Sequence, residues 1–99
     1  MKSTVESFVS NPLEADVTPA LRGLWHASRS EWDAAHNAVQ DDAGMDSAWV
    51  HALLHREEGD AFNAAYWYRR AGKAVCKASL ADERKHMILA LLTVQETTR

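Results

Sequence analysis

With one cysteine, two prolines and four glycines in 99 residues, the chain is poor in residues that cross-link or interrupt a fold. The lone thiol, Cys76, excludes an internal disulfide and a cysteine-based zinc site. So little Pro and Gly excludes collagen-like and low-complexity chains, and a 46% hydrophobic content excludes a disordered one. No apolar run approaches the roughly 18 residues of a membrane span, and the opening MKSTVESFVSNPLE has no signal-peptide core. Neither a glycine-rich phosphate loop nor a nucleophile elbow is present. The expectation is a cytoplasmic protein with no membrane partner and one modest core, about 13 Å in radius of gyration if compact.

Strong basic charge is missing too. The net charge of −3 argues against nucleic acid as a partner. The charge is unevenly spread: residues 1–60 carry eleven acids against four bases, and residues 61–99 three acids against seven bases. An acidic front and a basic back suit self-association or an oriented partner, although complementation of helix dipoles gives the same pattern. All four tryptophans fall between Trp25 and Trp67, with Tyr66 and Tyr68 beside the last. So many large rings in one stretch exceed the needs of a small core and point to a groove or interface.

Periodicity predicts an all-α fold of about four helices. Residues 1–17 read as a weakly structured tail, and residues 18–99 as a single helical domain. Thr18 caps and Pro19 opens a first helix over residues 19–40, with the stripe Leu21, Trp25, Ser28, Trp32, Ala35 and Val39. Asp46 is the expected cap of a second helix, residues 47–58, that buries Val50, Leu53 and Leu54. Gly59 breaks it, and Asp60 caps a third over residues 61–75, so these two form a tight antiparallel hairpin. Ser79 with Asp82 forms a capping box for a fourth, running to residue 96, with the stripe Leu80, Met87, Leu91 and Val94.

The hairpin over residues 48–71 resembles a tetratricopeptide (TPR) repeat. Ala52 stands at the motif's small position on the first helix, Gly59-Asp60 at its turn, and Ala64, Tyr68 and Ala71 at the small, tyrosine and alanine positions of the second. Trp49 lies one place from the motif's aromatic, and His51 and His55 replace residues that are apolar or aromatic in the family. A fainter copy upstream, Trp32 to Ala38 against Gly59 to Ala65, is offset by 27 residues. The blocks WDAAH, HREEGD and NAAYWYRRAG also resemble those of a family of short proteins with no assigned activity. The TPR resemblance implies antiparallel helix hairpins and a protein-binding role.

Two sets of side chains carry candidate chemistry. His51 and His55, at a spacing of four on one helix, can chelate a divalent ion, and His36, Asp33 or Glu58 could complete the ligand set. Glu57 could then act as a base, although it follows the histidines instead of lying between them. The competing reading has the histidines hydrogen-bonded at a helix seam. Trp49, Tyr66, Trp67 and Arg70 offer the aromatic-arginine composition of protein-binding hot spots. Arg69, Lys73 and Lys77 form a basic stripe, and Glu57 or Glu58 could pair with Arg69 or Arg70 across the hairpin. The first expectation is a non-catalytic protein-interaction module without a cofactor, self-associating as a homodimer. The alternative is a small-ligand or divalent-metal protein, hydrolytic in one version, built on His51, His55, His36 and Asp33.

Overall fold

The computed structural model describes residues 4–97, with side chains described as far as Thr93. Its described residues form six helices and no strand: α1 (Thr4–Ser10), α2 (Pro19–Ser28), α3 (Trp32–Val39), α4 (Met45–Glu57), α5 (Ala61–Ala71) and α6 (Leu80–Thr97). The radius of gyration is 12.5 Å. Two antiparallel hairpins, α2 with α3 and α4 with α5, follow one another, and α6 lies against α2 and α4.

The first expected helix is two. Its continuation stops at Ser30, which adopts the left-handed conformation at φ 60°. The Glu31 N–H donates to the His26 carbonyl at 3.0 Å and the Ser30 N–H to that of Ala27 at 3.1 Å, closing the end of α2. Folding back buries the stripe on itself, because a straight helix would leave Ala35 and Val39 far from Leu21 and Leu24, and all four are buried in one core. The crossing is close. A Cβ added to Gly23 would meet Val39 Cγ1 at 2.9 Å, Val50 Cγ1 at 3.2 Å and the Ala35 carbonyl at 3.3 Å. Both hairpins bury two small residues twelve positions apart, Gly23 with Ala35 and Ala52 with Ala64.

Capping explains most boundaries. Thr18 Oγ1 accepts from the Leu21 N–H, Asp60 Oδ1 from the Asn63 N–H, and Ser79 Oγ from the Asp82 N–H. Two boundaries depart from expectation. The N-cap of α4 is Gly44, and Asp42, not Asp46, accepts from the Gly44 N–H and the Ser47 hydroxyl. Helix α5 ends at Ala71 because Gly72 takes φ 70°, which also removes Lys73 and Lys77 from the basic stripe expected on that helix. The segment read as a tail holds α1, and two long side chains tie it down: Trp25 Nε1 donates to the Asn11 carbonyl and Arg29 Nη2 to that of Val9.

The core gathers Leu21, Leu24, Val39, Val50, Leu53, Leu54, Met87 and Ile88, each worth about 1.5–3 kcal/mol of transfer free energy. Val94, expected in the same stripe, lies outside the described side chains. Among the described residues one charged group sits inside: Glu83, 3% exposed. Its Oε2 accepts from the Tyr68 hydroxyl and its Oε1 from Arg56, whose other nitrogen donates to the Ala78 carbonyl at 2.8 Å. The charge-pairing expected across the α4–α5 hairpin is absent among the described residues: Glu57 pairs with Arg84 at 3.4 Å and Glu58 with His55.

Candidate metal centre

Three histidines from two helices converge at the junction between the hairpins. Helix α3 supplies His36; helix α4 supplies His51 and His55, one turn apart on the same face. The Nε2 atoms of His36 and His51 face each other at 3.0 Å. One ring nitrogen from each of His36, His51 and His55 lies within 4.8 Å of the others. Nitrogens bound to one tetrahedral zinc ion stand about 3.3 Å apart, so the pair is already at ligand spacing and His55 needs only to close in.

Aromatic contacts fix the rings. Trp67 of α5 stacks on His51 with ring centroids 3.8 Å apart, and Trp32 of α3 stacks on His36 at 4.9 Å. Trp32 is itself anchored, its Nε1 donating to the Leu54 carbonyl at 2.8 Å. His51 and His55 lie nearly parallel at 5.0 Å. Glu58 Oε1 sits on His55 Nδ1, which fixes that tautomer and leaves Nε2 as the lone-pair nitrogen. Burial first, then the neighbouring His36 and His55, lower the His51 pKa from 6.5 to about 4. The ring is therefore neutral at pH 7, the form that binds metal.

No protein-family model, curated protein or solved structure matches this chain.

Of the four residues expected at this site, three come together and one does not. Asp33 is exposed in the first turn of α3 and stands outside the convergent group. Glu58 and Asp60 are nearer candidates, since their carboxylates lie within 4.8 Å of His55. The expected interaction surface divides similarly. Trp49 is only 7% exposed and belongs to the core, so it is no surface anchor. Tyr66 and Arg70 remain exposed, Arg70 Nη1 donating to the Tyr66 hydroxyl at 3.1 Å. The Arg70 guanidinium also lies 5.3 Å from the Trp67 ring centre. What the sequence did not disclose is that Trp67 faces two ways, a lid on His51 and a neighbour of Arg70. Only its packing partner on α4 could show this.

Proposed function

We propose that this protein binds a divalent metal ion of the zinc class through His36, His51 and His55. The observation that carries the reading is the mutual approach of their three ring nitrogens within 4.8 Å. Imidazole suits zinc, copper, nickel and ferrous iron, and three protein ligands leave a position for water or a small ligand. Glu58, hydrogen-bonded to His55, orients that ligand and raises its basicity. The test is elemental analysis of tag-free protein purified without chelator, alongside titration of the chelated protein with zinc. About one tight ion per chain, lost in His51→Ala, is the expected result. A chain that takes up no ion from excess zinc, or retains its ion in His51→Ala, overturns the reading.

A second reading keeps the TPR-like hairpin as a protein-interaction module, self-associating in the cytoplasm through Tyr66, Trp67 and Arg70. It is supported by the exposed Tyr66–Arg70 pair beside Trp67. Arg70→Ala, which leaves the histidines untouched, separates the two readings: it weakens a dimer in sedimentation only if this face is the contact.

A further inference from the structure

A cavity of about 530 Å³ opens between α4, α6 and the loop that joins α5 to α6. It shares no residue with the histidine centre. One wall is the Trp49 ring; Val75 contributes an apolar side, and Asp82, Glu83 and His86 line the α6 side. The volume falls in the range of small-molecule sites, roughly 300–1,000 Å³.

The chemistry of the lining selects the ligand. Glu83 is spoken for, since Arg56 and Tyr68 take both its oxygens. Asp82 is exposed, its own N–H donates to Ser79, and no cation pairs with its carboxylate among the described residues. What remains is the His86 imidazole, edge-on to Trp49 with ring centres 5.9 Å apart, and the electron-rich indole face itself. A cation already sits on it: Lys73 Nζ lies 4.3 Å from the Trp49 ring centre, while pairing with no described carboxylate. A lysine ammonium is strongly hydrated and would gain more from water or an ion pair at an open surface. Its position over the ring marks a place that favours a cation, as cation–π attraction does on a partly desolvated indole.

We propose that this cavity is a binding site for a small alkylammonium ligand, primary or quaternary, and that Lys73 occupies it in the ligand's absence. The ligand's cationic head takes the place of the Lys73 ammonium over Trp49. Its alkyl part lies against Val75, and Asp82 adds an unpaired negative charge at the rim. Lys73 swings into solvent, which its exposed position allows. It therefore competes with the ligand both for the ring and by charge.

Choline and its neutral isostere 3,3-dimethylbutan-1-ol are the probes, followed by the indole and imidazole signals of Trp49 and His86 in NMR titrations. Choline is expected to give saturable shifts at millimolar concentration, and the alcohol binding at least about tenfold weaker. Lys73→Ala, which removes an exposed side chain, is expected to tighten choline binding about tenfold, and Asp82→Asn to weaken it severalfold. Equal binding of choline and the alcohol would overturn the cation preference. Unchanged affinity in Lys73→Ala would overturn the competition. No saturable shift in either the wild type or Lys73→Ala removes the site altogether.

Discussion

His51 is the residue in which fold and chemistry meet. Its ring is 5% exposed, stacked under Trp67, and opposed by a second imidazole at hydrogen-bond distance. Burial and the two neighbouring histidines hold its pKa at about 4, against 6.5 for a free side chain. Between those values the unfolded chain carries a proton on this ring and the folded chain does not, so stability rises with pH through that window. The contribution is complete above pH 6.5 and is lost as the pH falls toward 4. Its ceiling is about 3 kcal/mol, and water at the open edges of His36 and His55 reduces it toward ~2 kcal/mol. Urea midpoints of the metal-free protein are expected to fall steeply from pH 7 to pH 4.5. His51→Gln, uncharged throughout, is expected to flatten that slope; equal slopes in the two proteins would refute the assignment. The pair His51 and His55 was legible in the sequence because a spacing of four puts two side chains on one helix face. That Trp67 covers His51 was not, because it depends on how α5 lies on α4.

At the scale of elements, the turn between α2 and α3 decides where His36 goes. The sequence offers a continuous helical stripe through residues 19–40 and no glycine at the break, so periodicity alone predicts one long helix. Ser30 in the left-handed region ends α2 at a local cost, and the packing of Ala35 and Val39 onto Gly23 outweighs it. Two substitutions test this balance. Ser30→Gly relieves the backbone and is expected to stabilise the protein by about 0.5–1 kcal/mol in urea unfolding. Gly23→Ala gains about 1 kcal/mol of helix propensity but places a methyl group 2.9 Å from Val39 Cγ1. Overpacking of that kind costs about 1–3 kcal/mol, so a net loss of roughly 1 kcal/mol is expected. If Gly23→Ala proves more stable than the wild type, the close crossing of the hairpin is wrong, and so is the position it gives His36. The start of α5 was easier to read, since Asp60 announces its cap; its end was not, since the helix expected over residues 61–75 stops at Ala71, where Gly72 turns left-handed.

For the whole molecule, α6 braces two hairpins that already pack on each other through α2, α3 and α4. It rests on α2 and α4 through Met87, Ile88 and Leu91, and it carries Glu83 into the seam beside Tyr68 of α5 and Arg56 of α4. A helical stripe shows which face of α6 is buried, but not that a carboxylate on its first two turns is buried as well. Burial and the Glu83 carboxylate push the Tyr68 hydroxyl well above its ordinary pKa, so it stays a proton donor at every working pH. The three groups then differ in what their loss leaves behind. Tyr68→Phe removes one donor from a carboxylate that keeps Arg56, and is expected to cost about 1 kcal/mol. Glu83→Gln leaves the Arg56 guanidinium facing an uncharged amide in a half-buried place, and is expected to cost about 3 kcal/mol. Because α6 touches both hairpins, the loss should not stay local. Amide exchange in Glu83→Gln is expected to accelerate in the core of α2 and α4 as much as in α6, by the factor set by the lower unfolding free energy. Faster exchange confined to α6 would mean that the hairpins hold each other without it, and that α6 is a detachable cover and not a brace of the fold.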